Sequence, residues 1–304
     1  MSDAGPVQPG RGNQPLVSVV IPTRNRARMI AAAVGETLDQ VGVGVEAIVV
    51  DDASTDATGD ALEAIADPRL RIVRRSERGR LAAARNSGIE AARGEWVAFL
   101  DDDDLWSPDK LRLQLAAAAA AGAGFAYAGA VTVGAGLEPL HRWRLPAPDR
   151  LLDELLALNV MPAGASNVVA RTALVRELGG FDAELSHTTD WDMWIRLAAA
   201  SPAAAVAEPL VAYRLHDGQE SRRGDEMLAE LATIDAKHGA LRAERGVELD
   251  RAGFESYAAR RGAAAATAEP PAREWLRRRV RRLLGADRAA TVTSPDWLEA
   301  RGGS

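Results

Sequence analysis

The sequence predicts an α/β fold with a mainly parallel, doubly wound sheet flanked by helices, followed by a helical C-terminal extension. From Leu16 onward, short apolar runs alternate with helix-length stretches, as in successive β-α-β units. The runs are rich in β-branched residues along their whole length, which is typical of strands buried on both faces. Right-handed crossovers place the carboxyl ends of such strands at one edge of the sheet, where ligands bind in this fold class.

Four strands are predicted in the first hundred residues, over residues 17–21, 46–50, 70–73 and 96–100. The helices that follow them are predicted over about residues 28–40, after Ser54 or Thr55 as N-cap, from about Leu81, and after Ser107 as N-cap. Polar residues come directly after the first, second and fourth strands. The chemistry is therefore expected at these three strand ends.

The second half of the chain is less regular. Helices are predicted over residues 151–158 and 172–178 and from about Asp190, and extended segments over 166–170 and 206–215. Residues 262–272, which are rich in alanine and contain proline, are predicted to form a linker. The predicted domains are a disordered tail (1–15), one α/β domain (16–221) and a helical extension (222–304) with a basic amphipathic segment (273–288).

Composition limits the classes of function. Of the 304 residues, 47% are hydrophobic, and the net charge of −6 argues against general nucleic-acid binding. Cysteine is absent, so disulfides and thiolate chemistry are excluded. The polar N-terminal stretch is not expected to be a signal peptide, and the apolar run over residues 113–136 has too much alanine and glycine for a membrane span. A cytoplasmic location is expected.

The acidic run from Asp101 to Asp104 is the sharpest local feature of the sequence. Two unit charges about 4 Å apart repel by about 4 kcal/mol at an effective dielectric of about 20, so four adjacent carboxylates favour a bound cation. Such oxygen ligands suit Mg²⁺ or Mn²⁺, which also bind a diphosphate. The alternative is a solvated acidic turn beside a helix N-terminus.

Four other positions carry candidate chemistry. Asp52, with Asp51 before it, is either a ligand contact or a turn and helix cap. Arg80 is either a contact for an anionic ligand or a surface charge. Asp190 is either a helix cap or a general base in a cleft. His216 is a metal ligand, a phosphate contact or an ordinary histidine.

Five segments taken together resemble the family 2 glycosyltransferases of GT-A fold. They occur in the family's order over about residues 17–221, and five in order are specific where one alone would be weak evidence. The segments are VSVVIPTRNR, EAIVVDDASTDAT, GRLAAARNSGIEAARGEWVAFLDDDDLWSPDKL, SNVVARTALVRELGGFDAEL and TTDWDMWIRLA.

This resemblance implies roles for the donor-site residues. Thr23 and Asp52 would hold the nucleotide base, Arg80 would lie near the base or the diphosphate, and Asp102 near the ribose. Asp101 and Asp103 match the family's D-x-D motif, and Asp103 would be the direct ligand of Mn²⁺ or Mg²⁺.

The resemblance also implies a catalytic base and a third metal ligand. Asp190 matches the family's base, although the preceding residue, frequently Glu in the family, is Thr189 here, which leaves Asp192 as the alternative base. His216 matches a histidine often found after the final core strand.

The implied reaction is a single displacement with inversion at the anomeric carbon. The expected donor is a UDP-sugar, and the acceptor is a glycan, a lipid, a peptide or a small molecule. Asp190 would deprotonate this acceptor while metal stabilises the departing diphosphate. The alternatives are a sugar nucleotidyltransferase, which the absence of glycine from residues 22–26 argues against, and a catalytically inactive nucleotide-sugar-binding module.

The basic segment over residues 273–288 has two interpretations. Its apolar residues recur at helical spacing among seven arginines. It is either an interfacial helix on anionic lipid, which would give peripheral contact with the inner face of the membrane, or a helix docked on the catalytic domain.

Overall fold

The computed structural model describes residues 16–215, 224–266 and 294–299. The predicted tail (1–15), the basic amphipathic segment (273–288) and His216 lie outside these ranges. Within them, no helix combines the length and the apolar character needed to cross a membrane.

In the described part of the chain, nine strands form one mixed sheet. In chain order they are β1 Leu16–Thr23, β2 Gly44–Asp51, β3 Leu70–Arg74, β4 Trp96–Phe99, β5 Leu105–Trp106, β6 Phe125–Val133, β7 Pro139–Arg142, β8 Val169–Arg171 and β9 Ala203–Arg214. Their spatial order is β3-β2-β1-β4-β8-β6-β9-β5, and β7 pairs with β6 beside this path.

The sheet has a parallel half and a mixed half. Strands β3, β2, β1 and β4 are parallel to one another. Strand β8 runs antiparallel to both β4 and β6, whereas β9 is parallel to β6 and antiparallel to β5. The predicted parallel arrangement therefore holds for the first four strands, and the later strands make the sheet mixed.

Helices cover both faces of this sheet, as the buried strands require. They are α1 Ile30–Leu38, α2 Thr58–Glu63, α3 Leu81–Ala91, α4 Lys110–Ala121, α5 Leu151–Ala157, α6 Thr172–Glu177, α7 Thr189–Ala200, α8 Gly224–Arg245, α9 Arg251–Ala266 and α10 Asp296–Glu299. Successive β1 residues alternate between two core clusters, because side chains of a strand point to opposite faces. Val19 packs with α1, α2 and α4, and Val20 packs with α3, α7, α8 and α9.

Helices α8 and α9 share the core of the α/β domain. Met227 and Ile234 of α8 and Phe254 of α9 are buried in the same cluster as Trp191 of α7. The rings of Trp191 and Phe254 stack with their centroids 5.3 Å apart. The polar, helical region that the sequence predicts after Ser221 therefore packs directly against α7, the helix that contains Asp190.

The predicted N-cap of the second helix is wrong. Helix α2 begins at Thr58, and neither Ser54 nor Thr55 caps it. Instead the Asn25 amide donates to Ser54 Oγ at 3.0 Å, and the Thr55 amide donates to Asn25 Oδ1 at 2.8 Å. These side chains join the loops after β1 and β2, and this longer-range pairing competes with capping.

Two further local predictions need correction. Ser107 is not at the cap position of α4, which is Asp109; its amide pairs with the Leu210 carbonyl of β9 at 2.9 Å, and its hydroxyl lies 3.4 Å from the Asp109 amide. Residues 262–266 of the predicted linker are helical, since α9 continues to Ala266. Alanine is the strongest helix former, so this Ala-rich stretch extends the helix up to the edge of the described range.

Candidate active site

The carboxyl ends of β2, β1 and β4 lie side by side, so the loops that follow them meet at one edge of the sheet. Thr23 is in register with Asp51, and the Asp52 amide donates to the Thr23 carbonyl at 3.0 Å. On the other side of β1, the Leu100 amide bonds to the strand at 3.0 Å and directs the acidic run toward Thr23. We call this edge, formed by residues 23–26, 51–54 and 101–104, the rim.

Asp102 is held from β1 and its loop. The Thr23 hydroxyl donates to Asp102 Oδ2 at 2.6 Å, and Arg26 Nε lies 3.5 Å from Asp102 Oδ1. Burial raises the pKa of Asp102 to about 7, and the charges of Asp103 and Asp101 add to the rise, against the opposing effects of Thr23 and Arg26. The crowding of carboxylates that the sequence predicts is therefore present at the rim.

Asp101 forms an ion pair with a buried arginine. Arg85 of α3 has a side chain only 2% exposed, and its Nη2 lies 2.8 Å from Asp101 Oδ1. The guanidinium carbon is 5.2 Å from the centroid of the Phe181 ring. Because Arg85 neutralises Asp101, the net charge of the acidic run is lower than its sequence implies.

Asp104 anchors the acidic run to the mixed half of the sheet. Its side chain is buried, accepts a 2.5 Å hydrogen bond from the Ser166 hydroxyl and a 3.1 Å hydrogen bond from the Arg214 amide at the end of β9. Burial, together with the charges of Asp103 and Asp101, raises the pKa of Asp104 well above its usual range. Asp104 thus has a structural role that sequence reasoning did not separate from its neighbours.

A 3₁₀ turn over Gly164–Asn167, here called the 164–167 turn, lies between the acidic run and the start of α7. The Ser166 hydroxyl accepts the Asp101 amide at 3.1 Å, and the buried Asn167 side chain bonds both the amide and the carbonyl of Ala128 at 2.7 Å. A Cβ placed on Gly164 would lie 3.1 Å from Asp190 Oδ2. The same turn is therefore hydrogen-bonded to the acidic run and lies next to Asp190.

Asp52 organises the loop that leads to Arg80. Its carboxylate accepts hydrogen bonds from the Gly79 amide at 2.9 and 3.0 Å and from Arg75 Nε at 2.8 Å. Arg80 occupies the cap position of α3, and its Nη1 donates to the Glu184 carbonyl at 2.7 Å. Asp52 is thus hydrogen-bonded to the residue directly before Arg80, although the two residues are far apart in the sequence.

Asp190 lies in the first turn of α7, and its Oδ1 accepts the Trp191 amide at 2.7 Å. It is partly exposed, and its other carboxylate oxygen faces Gly164. A carboxylate in the first turn of a helix lies close to the positive end of the helix dipole. Its location beside the 164–167 turn brings it to the rim side of α7.

Asp192 has a different environment from Asp190. It is fully buried, and its oxygens lie 2.6 Å from Arg196 Nη2, 2.8 Å from Lys237 Nζ and 3.0 Å from His238 Nε2. Although burial acts to raise the pKa of Asp192, these donors lower it well below its usual range. Asp192 is therefore a structural ion-pair centre between α7 and α8.

The carboxylates of the rim have the chemistry of a site for a hard divalent cation, but they do not form a complete cage. In the ranges that the structure describes, no group of three or more His, Cys, Asp or Glu is arranged to hold a metal ion. Magnesium-type sites commonly use one or two carboxylates together with substrate phosphates and water. The rim fits such a shared site, with Asp103 as the predicted ligand, and His216 lies outside the described residues.

The rim thus brings together Thr23, Asp52 and the acidic run, with Arg80 at the start of α3 and Asp190 in the first turn of α7. Sequence reasoning missed the residues that hold these groups in place, which are Arg26, Arg75, Arg85, Gly164 and Ser166. One signal was available for Arg85, a charged residue flanked in α3 by positions that are buried and apolar. The other partners become visible only when distant segments of the chain meet.

A model of the family described as Glycosyl transferase family 2 matches residues 18–179, more than half of the chain. The chain is 29% identical over 230 residues to the uncharacterized glycosyltransferase RT0329 of Rickettsia typhi, which is 72% of this chain and 70% of that protein. It is 47% identical over 98 residues to the succinoglycan biosynthesis protein ExoO of Rhizobium meliloti. That match covers 32% of this chain and 28% of ExoO.

A third relative is the UDP-Glc:alpha-D-GlcNAc-diphosphoundecaprenol beta-1,3-glucosyltransferase WfgD of Escherichia coli, 34% identical over 99 residues. That match covers 33% of this chain and 39% of WfgD. The chain therefore spans well under half the length of ExoO and WfgD.

Two solved structures show the same fold. Residues 1–349 of S. aureus TarS, in complex with UDP-GlcNAc, match with a TM-score of 0.60 at 18% identity, covering 81% of this chain and 72% of that one. The mannosyltransferase PcManGT from Pyrobaculum calidifontis, in complex with GDP-Man and Mn²⁺, matches with a TM-score of 0.58 at 24% identity, covering 91% and 83%. The predicted GT-A fold is confirmed.

Proposed function

The chain belongs to glycosyl transferase family 2 and is a glycosyltransferase with a nucleotide-sugar donor, and on that premise we propose that it transfers the sugar with inversion from a UDP-sugar to a hydroxyl group of a glycan acceptor. One observation carries this proposal. The 164–167 turn is hydrogen-bonded to the acidic run and lies next to Asp190, so the proposed diphosphate-binding edge and the proposed base adjoin the same turn. Both groups are needed for displacement at an anomeric carbon.

We propose that the donor nucleotide binds where the loops after β1 and β2 meet. Thr23 and Asp52 are both buried at the rim and are the residues proposed for contact with the base. Asp102 is proposed for the ribose and Arg80 for the base or diphosphate. Uridine is favoured because TarS is solved with UDP-GlcNAc and WfgD is named for UDP-Glc, whereas PcManGT is solved with GDP-Man.

The diphosphate is proposed to bind next to Asp103 of the acidic run, with Asp101 beside it. A divalent cation bound there, Mn²⁺ or Mg²⁺, would offset the negative charge that develops on the departing diphosphate. Asp101 is already paired with Arg85, so it contributes mainly by shaping the loop. Asp103, which matches the second aspartate of the D-x-D motif, is the carboxylate that we assign to the cation, with His216 as a predicted additional ligand.

Asp190 is proposed as the general base that removes the proton from the acceptor hydroxyl. It is partly exposed next to Gly164, whereas Asp192 is fully buried and bound by Arg196, Lys237 and His238. A base must come within hydrogen-bond distance of the proton it removes, and a buried, triply paired carboxylate does not meet that condition. A diphosphate leaves without protonation by an acid, so one carboxylate suffices for this step.

The acceptor is proposed to be a growing glycan, including one linked to a lipid diphosphate. ExoO and TuaG carry names from succinoglycan and teichuronic acid biosynthesis, and WfgD is named for a diphosphoundecaprenol-linked acceptor. A cytoplasmic location fits this proposal. Peripheral membrane contact through the basic segment stays a prediction, since residues 273–288 lie outside the described ranges.

The first experiment measures hydrolysis of UDP-glucose, UDP-GlcNAc and GDP-mannose with and without Mn²⁺. We expect slow release of one nucleoside diphosphate that requires the cation, because water replaces the acceptor in many glycosyltransferases at a low rate. A parallel assay supplies UTP with glucose 1-phosphate and follows pyrophosphate. Pyrophosphate release without sugar-nucleotide hydrolysis would favour the nucleotidyltransferase alternative, and binding without any turnover would favour the inactive binding module.

Changing Gly164 to Ala is expected to lower the rate of donor hydrolysis about tenfold. Gly164 has φ +54°, and an added Cβ would lie 3.1 Å from Asp190 Oδ2, so the carboxylate must shift. The required shift is a few tenths of an ångström. Because misplacing a reacting group by about 1 Å can cost about 100-fold in rate, a loss nearer tenfold is expected. Gly122→Ala is the matched control, because Gly122 has φ +59° with no atom within 4 Å of the added Cβ.

Both glycine variants should lose similar stability, about 1 kcal/mol, since each places an alanine in the left-handed region. Only Gly164→Ala should lose turnover at a temperature where both are folded. Equal turnover in the two variants would contradict the proposed location of the base.

A further inference from the structure

The segment immediately before α7 is held by a carboxylate from α8. Glu230 accepts hydrogen bonds from the Ser186 amide at 2.7 Å, the His187 amide at 3.0 Å and the Thr188 amide at 2.9 Å. The Thr188 hydroxyl also donates to Glu230 at 2.8 Å. Four donors from three consecutive residues therefore converge on one side chain, and Asp190 follows two residues after the last of them.

Helix α8 contacts the same region through further residues on one face. Glu226, one turn before Glu230, lies 2.8 Å from His187 Nε2. Lys237, two turns after Glu230, lies 2.5 Å from Asp182 and 2.8 Å from Asp192. Residues at these spacings share a helix face, so α8 presents a polar stripe to the entire approach to α7.

Glu230 acts on the segment that enters α7 and not on the helix itself. The amides that it binds belong to residues 186–188, which precede Thr189, the first residue of the helix. Thr188, the cap residue of α7, makes no side-chain cap hydrogen bond, and its hydroxyl donates to Glu230 instead. The entry of the chain into α7 is therefore held by Glu230 from outside the helix.

We propose that Glu230 is a positioning residue for the general base, acting on Asp190 through the backbone of residues 186–188. This inference rests on the proposed function, in which Asp190 removes the acceptor proton. The carboxylate fixes the start of α7, the 164–167 turn confines Asp190 from the other side, and the base is held between them. Helix α8 thereby helps to position the base, although none of its residues contacts substrate in this proposal.

The test compares Glu230→Ala with Glu244→Ala in the full chain. Glu244 lies on the same helix, is exposed, and is far along α8 from residues 186–188. With the nucleotide sugar that is hydrolysed fastest in the presence of Mn²⁺ as probe, Glu230→Ala should lower kcat about 10- to 100-fold. The KM for the donor should change less than about twofold, because Thr23, Asp52 and Arg80 are left in place.

Amide hydrogen exchange gives a readout independent of activity. In Glu230→Ala, the amides of residues 186–188 should exchange faster, since their acceptor is removed, while those of β1 and β4 keep wild-type protection. Glu244→Ala should change neither exchange nor kcat. A loss of protection across the entire domain, or a fall in donor affinity equal to the fall in kcat, would indicate a general structural role and overturn the inference.

A double-mutant cycle with Asp190→Asn decides whether Glu230 acts through the base. If it does, Glu230→Ala should cost less than about twofold in the Asp190→Asn background, because the group it positions is already disabled. A loss of the same factor in both backgrounds would overturn the inference. The two proposals can fail separately. If Asp190→Asn hydrolyses the donor at the wild-type rate, the assigned base is wrong. If Asp190→Asn is slow but Glu230→Ala hydrolyses at the wild-type rate, only the positioning role of Glu230 is wrong.

Discussion

Changing Asp190 to Asn should reduce turnover by roughly 10² to 10⁴-fold while leaving donor binding intact, since a positioned general base contributes about this factor. Asn has nearly the same shape as Asp and can still accept the Trp191 amide, so the start of α7 is expected to be retained. What is lost is the ability to take a proton from the acceptor hydroxyl. The measurement is the rate of nucleoside diphosphate release beside the Kd for the donor from calorimetry.

Asp192→Asn is the control that the chain itself provides, because it makes the same chemical change two residues away. Asp192 is fully buried among Arg196, Lys237 and His238, so the loss of its charge should lower the free energy of unfolding by about 1.5–3 kcal/mol. Its turnover per folded molecule should stay within about tenfold of wild type. If the large loss of turnover appeared in Asp192→Asn and not in Asp190→Asn, the assignment of the base would be reversed.

The first half of the fold could be predicted because its signals are local. Apart from Ser18, the run around Val19 is β-branched and apolar, and it ends at a polar residue, which is typical of a buried parallel strand. The strand β6, over Phe125–Val133, follows an alanine-rich helix and is itself rich in alanine and glycine. The hydrophobic periodicity that would indicate a strand is therefore weak, and the sequence does not mark where the strand begins and ends. No local signal indicates that this strand pairs with β8 and β9.

The candidate site divides in the same way. The positions of Thr23, Asp52 and the acidic run follow from strand order, since the ends of parallel neighbours meet at one edge. Their partners do not follow, because Arg85, Ser166 and Glu230 come from elements whose packing depends on the complete topology. The sequence also gives four similar carboxylates in the acidic run, and only the structure shows that Asp101 is paired with Arg85 and that Asp104 is buried.

Changing Asp103 to Ala should abolish the dependence of turnover on Mn²⁺ and lower the rate by about 10² to 10³-fold, a typical effect of removing one group that stabilises developing charge. Asp103 is the proposed ligand because it matches the second aspartate of the D-x-D motif in the resemblance to the family. Chelation of the cation from the wild-type protein should reproduce this loss.

Asp109→Ala is the matched control for Asp103→Ala, since Asp109 is an exposed carboxylate six residues later whose partner is the surface residue Arg112. It should bind donor and respond to Mn²⁺ as wild type does. Because the diphosphate supplies further ligands in a shared site, Mn²⁺ should also bind wild type more tightly when UDP is present, and Asp103→Ala should lose this coupling. If Asp103→Ala responded to Mn²⁺ as wild type does, the cation would have to be bound by another carboxylate of the run. The same coupling measurement on Asp101→Ala and Asp102→Ala would then identify that carboxylate.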